Sequence, residues 1–228
     1  MKKIFLCIVL FIAVSLSASA QKLTAEKILQ EVKNHFETVK DYSVELTAEI
    51  EMERLHIPEM KMKLYFKQPD KIHIDSKNFA MLPKEGFGIN PAEYLEHYNA
   101  SITGTETVNG TTLYTLKLLS KPEKNKPLRE VFLTVDGAHW VVIRMESSPA
   151  PGRTIFVAMD YAAIENIYFL PVAMKLQFDF APPADTSLTE KKMNTMRMMP
   201  RKGRVEISYS NYKVNTGLGD AIFEKKEQ

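Results

Sequence analysis

The sequence predicts a mainly β domain (α+β) of about ten antiparallel strands curling into a barrel or half-barrel, with an N-terminal helix and a short second helix. One amphipathic helical repeat near the start gives way to period-two alternation that recurs along the rest of the chain. The alternating segments are separated by compact turn signals, the pattern of a meander. Most of these strands carry one apolar and one charged face, so a meander this long has to curl until its apolar faces meet each other, the helices or a ligand.

The chain opens MKKIFLCIVLFIAVSLSASA, with a basic start at Lys2 and Lys3, an apolar run from Ile4 to Leu16, and small residues at Ala18, Ser19 and Ala20. This reads as a secretory signal peptide over residues 1–20, cleaved after Ala20; the run is shorter than the roughly 20 residues of a membrane-spanning helix. Cys7, the one cysteine of the chain, lies early in that run, where it does not mark a lipid anchor. Cleavage leaves a cysteine-free domain at 21–228, which excludes disulfides, thiolate metal ligands and a cysteine nucleophile, and suits a bacterial periplasm. The mature chain carries 28 basic residues against 28 acidic ones, so no overall field points to nucleic acid.

From Leu23 to Lys40, apolar side chains at Ala25, Ile28, Leu29, Val32, Phe36 and Val39 follow helical spacing, with Thr24 as N-cap and Glu26 favoured by the helix dipole. In YSVELTAEIEM every even position from Tyr42 to Met52 is apolar or aromatic and every odd one polar, a strand signal. A link at Leu55–Pro58 is expected next. A second strand runs through Met60, Met62, Leu64 and Phe66, a turn falls at Gln68-Pro69-Asp70-Lys71, and a third strand holds Ile72 and Ile74. Asn90, Pro91 and Glu93 supply cap, first-turn proline and N3 glutamate for a short helix to about Tyr98. Further strands are predicted at 102–108, 111–119, 128–135, 138–148, 153–161, 168–180 and 205–212, with Asp136-Gly137 as a hairpin turn.

In order and spacing, KLYFKQPDKIHID, GTETVNGTTLYTLKL, LTVDGAHWVVIRM, the Leu170-Pro171 strand and VNTGLGDAIFEK, behind a signal peptide and an amphipathic helix, resemble the LolA family of periplasmic lipoprotein carriers. The receptor LolB and the stress sensor RseB share that architecture. The resemblance implies an incomplete antiparallel β-barrel whose concave face is covered by a helical lid, giving an apolar cavity for acyl chains, and the need is physical. At about 0.8 kcal/mol per CH₂, a sixteen-carbon chain in water costs roughly 12 kcal/mol, so it does not cross an aqueous compartment unaided.

On this implication the acyl lining comprises Leu46, Ile50, Met52, Met60, Met62, Leu64, Phe66, Ile72, Ile74, Met174, Leu176 and Phe178, with Ile28, Val32 and Phe36 of the helix forming the lid. The residues alone leave open whether the strand methionines Met52, Met60, Met62, Met145, Met159 and Met174 line a cavity or fill a closed core. Where the family carries an arginine that bonds to the lid, this chain has Gln68, an amide with neither charge nor fork, and whether it gates the lid stays open. The implied partners are an acylated lipoprotein or lipid cargo, an inner-membrane donor complex and an outer-membrane acceptor, with the carrier itself a monomer. The alternative is a sensor of the RseB type.

The stretch KKMNTMRMMPRKG lies in a linker from Ala181 to Lys202. Thioethers at Met193, Met196, Met198 and Met199 could be soft ligands for copper(I), but Lys191, Lys192, Arg201 and Lys202 around them would repel a cation. Basic groups flanking apolar ones fit an anionic membrane surface or an acidic partner, and a solvated loop is the plainer alternative. No metal or cofactor is expected. Serine-hydrolase, zinc-protease, phosphate-loop and dinucleotide signatures are missing from the sequence, and His35, His56, His73, His97 and His139 are scattered singly on positions that read as solvated, so no enzyme is predicted.

Overall fold

The computed structural model describes residues 23–53, 55–75, 91–122, 128–150, 152–180 and 201–224. The signal peptide, the Asn90 cap and residues 191–200 of the methionine-rich stretch lie outside the described residues. In chain order the elements are α1 (Ala25–Glu37), β1 (Asp41–Met52), β2 (Leu55–Lys67), β3 (Lys71–Asp75), α2 (Pro91–His97), β4 (Tyr98–Val108), β5 (Thr111–Ser120) and β6 (Glu130–Asp136). They continue with β7 (Val141–Ala150), β8 (Arg153–Ile164), β9 (Tyr168–Phe180), β10 (Lys202–Val214) and a 3₁₀ turn at Asp220–Ile222.

All ten strands form one antiparallel sheet in the order β3-β2-β1-β10-β9-β8-β7-β6-β5-β4. Its edges, β3 and β4, do not pair with each other, so of the barrel and half-barrel that the alternation allows the chain forms the incomplete one that the resemblance implies. The alternation also sets the two faces. Ile50, Val205, Leu176, Val157, Met145, Leu133 and Leu116 form one inward row from β1 to β5. One residue along, Glu51, Arg204, Gln177, Phe156 and Glu146 form an outward row. The inward residues join Ala25, Ile28, Leu29 and Val32 of α1 in a single apolar cluster, so the helix lies on the inner face.

Several boundaries differ from the sequence reading, each for a local reason. Leu55–Pro58 is not a link but the start of β2, which pairs Met52 with Leu55 and Ile50 with Ile57. The register shifts between Ala48, opposite Met60, and Ile50, so Pro58 sits at a bulge, where a residue without an N–H is tolerated. β4 begins at Tyr98, directly after α2. The Asp136-Gly137 turn is longer than a two-residue hairpin: Trp140 N donates to Asp136 O (2.8 Å), and Asp136 Oδ1 accepts from Ala138 N (2.7 Å). The left-handed position falls on Trp140, φ 55°, which no residue preference announces. Lys202 belongs to β10 rather than to the linker, because Glu53 N donates to its carbonyl (3.2 Å) and its ammonium pairs with Asp179 (2.9 Å).

The segment after β10 straps the sheet to the end of α1. Asn215 Oδ1 accepts from Lys40 N (2.6 Å), and the buried Asp41 carboxylate accepts from Thr216 N (2.9 Å) and Gly217 N (3.0 Å). Gly217 has φ 75°, a conformation glycine adopts without strain, and this places its N–H against Asp41. Asp220 then bridges Lys67 (2.7 Å) and Lys71 (3.1 Å), whose hydrogen bonds, and then their charges, hold its carboxyl below the usual range.

Candidate functional site

The inner face of the sheet is the candidate site, and α1 is its cover. Thr24 Oγ1 accepts from Lys27 N (3.2 Å) and starts the helix, as its N-cap position predicts. Ala25, Ile28, Leu29 and Val32 fall on one helical face and are buried against the strands. At the other end Phe36 meets Phe66 of β2 with ring centres 5.5 Å apart. His35 Nε2 lies 3.2 Å from Phe169 O of β9, so this histidine is partly buried and partnered rather than solvated.

Gln68 fastens the same end. Its Nε2 donates to Phe36 O (3.1 Å) and Val39 O (3.2 Å), and its own N–H donates to Lys40 O (2.8 Å). A helix leaves its last carbonyls without intrahelical partners, and the two N–H bonds of one amide satisfy that need without any charge. The geometry shows where an uncharged residue can hold the helix, which sequence alone left open.

The predicted lining residues are brought together. Leu46, Ile50, Met62, Leu64, Phe66, Met174 and Leu176 are buried in the cluster that includes Ile28 and Val32. Met52, Met60, Ile74 and Phe178 are half-buried against it. Ile72 faces the same way, opposite Phe66, but on edge strand β3 it is 39% exposed, the least covered of the set. With α1 in place these residues pack as a core.

Sequence reasoning missed four tyrosines at the α1 end of the inner face. Tyr212 Oη donates to Pro171 O (2.7 Å), Tyr161 Oη to Val142 O (3.0 Å), and Tyr209 Oη has Met174 Sδ at 3.8 Å. Tyr42 stands between Phe66 and Tyr212, with ring centres 5.1 and 5.6 Å away. Burial pushes all four phenols well above their ordinary value of 10.0. Tyr209 and Tyr212 are three apart, a spacing that in a regular strand places side chains on opposite faces. The register shift between Ser43 and Glu45, with Asn211 at φ 54°, brings both inward. That odd spacing was the available signal.

His139 also differs from the solvated reading: it stacks on Phe169 at 3.8 Å, and its Nδ1 lies 3.1 Å from Asp136 Oδ2. Of the predicted membrane- or partner-contact residues, Arg201 and Lys202 are described. Phe180 N donates to Arg201 O (2.7 Å), so the two ends of the 181–200 stretch are held side by side. They flank a shallow recess of about 490 Å³ lined mainly by outward residues, including Glu51, Arg204, Gln177 and Phe156, whose charges are already paired as Arg204–Glu51 (2.8 Å) and Lys202–Asp179 (2.9 Å). Among the described residues no group of three or more His, Cys, Asp or Glu could hold a metal, and no helix is long and apolar enough to cross a membrane.

No family model matches the sequence. A curated relative, an uncharacterized protein of Methanocaldococcus jannaschii, is 23% identical over 218 residues, a match covering 82% of this chain and 60% of that protein's length. Among solved structures, a putative outer membrane lipoprotein-sorting protein domain from Vibrio parahaemolyticus superposes with a TM-score of 0.60 at 14% identity, covering 87% of this chain and 95% of that one. A DUF1329 family protein from Desulfovibrio piger gives 0.55 at 13% identity, over 88% and 97%. A LolA superfamily protein from Nitrosomonas europaea gives 0.52 at 13% identity, over 89% and 98%.

The fold is LolA-like. At these identities the likeness extends to the architecture, and the site residues are this chain's own. In this LolA-like fold the open sheet, the helix across its inner face and the hairpin at Gln68 form one mechanical unit. The hairpin holds the C-terminal end of α1, and the apolar face beneath the helix holds its middle.

Proposed function

We propose that the protein is a periplasmic carrier that takes up the acyl chains of lipoproteins, or of another lipid, on the inner face of its sheet and passes them towards the outer membrane without chemical change. The observation that carries this reading is the continuous apolar inner face closed by a helix fastened through neutral hydrogen bonds. Freeing α1 exposes Ile28, Leu29 and Val32, at about 2 kcal/mol each. Breaking the Gln68 bonds adds about 2 kcal/mol. The roughly 12 kcal/mol by which shelter from water favours a sixteen-carbon chain exceeds that sum, so a chain held on the inner face with the lid displaced is favoured over the same chain in water.

In this reading Ile28, Val32, Phe36 and Gln68 gate the inner face, and the lining is the set from Leu46 to Phe178 named above. The basic, methionine-rich stretch, Lys191, Lys192, Met193, Met196, Met198 and Met199 with Arg201 and Lys202, touches the donor or acceptor membrane surface or an acidic partner. The signal peptide supports placement in the periplasm.

The test is lipid analysis of protein purified from its own host, combined with displacement of a fluorescent acyl probe and transfer of bound acyl cargo to acceptor vesicles. Co-purifying lipid, micromolar displacement and transfer are expected. If no lipid co-purifies and apolar probes fail to bind, the carrier reading falls; binding without any transfer would point to sensing of the RseB type.

A further inference from the structure

Within the carrier reading, the inner face is not uniformly suited to hydrocarbon. Four phenols at one end of an apolar face cost desolvation that phenylalanine would avoid, so their hydroxyls call for partners. Two of them have backbone partners at interruptions of the sheet. Val142 flanks the register shift between Thr134 and Val135, and Pro171 flanks the one between Asp160 and Tyr161. The other two are left in reserve. Among the described residues Tyr209 has only the thioether of Met174, at 3.8 Å, a weak acceptor.

Tyr42 makes no hydrogen bond with any described residue, although its ring is wedged between Phe66 and Tyr212. No buried side-chain polar atom among the described residues lacks a partner, so the unbonded Tyr42 hydroxyl is one that a water-sized molecule can reach.

We infer that Tyr42 and Tyr209, framed by Tyr161 and Tyr212, form a hydrogen-bonding subsite that takes the neutral ester or amide carbonyl at the head of an acyl chain, while the chain lies along the apolar rows beyond. The inference rests on the carrier reading and specifies the chemistry of its cargo. A neutral acceptor fits better than a carboxylate or phosphate, because none of the four phenols bonds to a charged side chain among the described residues. The two nearby histidines are already engaged with Phe169 O and Asp136. Phenols that stay protonated donate, and two donors on one carbonyl oxygen use both of its lone pairs. The subsite would then set how far a chain enters, by stopping its carbonyl at a fixed depth.

The experiment loads the full chain with diphenylhexatriene, a fluorescent hydrocarbon without polar atoms, and displaces it with hexadecane, methyl palmitate or palmitate. Wild type is expected to prefer methyl palmitate to both of the others. In Y42F/Y209F, affinity for methyl palmitate should fall about 30-fold, from the loss of two neutral hydrogen bonds, with hexadecane unchanged. Y42F alone, which removes a hydroxyl that bonds no described residue and so leaves the fold intact, should lose about fivefold. Equal changes for ester and alkane, no change for either, or palmitate competing as well as its ester in wild type would each overturn the subsite and leave the carrier reading standing. If none of the probes binds wild type, the carrier reading fails and the subsite with it.

Discussion

Replacing Gln68 with alanine removes the two side-chain hydrogen bonds that hold the end of α1, from Nε2 to Phe36 O at 3.1 Å and to Val39 O at 3.2 Å. Both are neutral and partly buried, and a bond of that kind contributes about 1 kcal/mol net, so the closed position of the helix should lose about 2 kcal/mol. That corresponds to about a 30-fold rise in the population with α1 released, while the ladders of the sheet keep every bond they had. Native-state hydrogen exchange reads the two apart, because amides of α1 report release of the helix and amides of β5, β6 and β7 report opening of the sheet. The expected result is exchange about 30-fold faster in α1 and unchanged in those strands, with near-recovery in Gln68→Arg, whose guanidinium can donate to both carbonyls. Unaltered α1 exchange, or equal acceleration in the central strands, would refute the idea that Gln68 acts as a local fastener.

Asp41→Ala should lower stability by about 3 kcal/mol, since it strands the N–H groups of Thr216 and Gly217 that now point at a buried carboxylate; a urea midpoint that does not move would contradict this. Gly203→Ala would drive its Cβ into the edge of the Phe178 ring and place it 3.1 Å from Glu51 O. A loss of about 2 kcal/mol is expected, partly recovered by Phe178→Leu, and a double-mutant cycle showing simple additivity would reject the contact as the cause. At alkaline pH, Tyr42, Tyr161, Tyr209 and Tyr212 keep their protons in the folded chain, whereas unfolded tyrosines lose them near 10.0. Stability should therefore be unaffected by these groups below pH 10 and fall above it, by about 1.4 kcal/mol per pH unit for each retained proton. A spectrophotometric titration should show these four phenols ionising only as the protein unfolds; reversible ionisation in the folded state near pH 10 would contradict their enclosure.

Particular residues show what the sequence could reveal. The glutamates at Glu45, Glu49 and Glu51 are exposed and the even positions between them covered, because a two-residue period has only one way to meet a one-sided core. The helix stripe from Ala25 to Val32 and its Thr24 cap were legible on the same physical ground. What period-two reasoning could not resolve is where the period breaks. Leu55–Pro58 reads as a link, yet it starts β2, where a bulge at Pro58 removes the need for an N–H. The turn at Asp136 was assigned to Gly137 by residue preference, while the positive φ went to Trp140. The tyrosines were absorbed into the apolar alternation, since a phenol counts as apolar until the bonding of its hydroxyl is known. Gln68 was legible as a position and not as a fastener, because its partners, Phe36 O and Val39 O, come from a helix some thirty residues earlier.

The place of β10 in the sheet has a consequence for how the chain reaches this state. β10 lies between β1 and β9, so the β3-β2-β1 unit and the β9-to-β4 meander share no ladder except through it. Each half can zip up from its own hairpins, but joining them pairs residues as distant in the chain as Tyr42 and Val214. That long closure is slow and comes late, after the local pairings have formed. Until residues 202–214 are available the growing chain holds two half-sheets with bare apolar faces, a period in which it is most open to wrong association and to proteases. The last strand in the sequence is the clasp of the sheet, and a chain shortened before it would yield two separate half-sheets in place of a smaller copy of the fold.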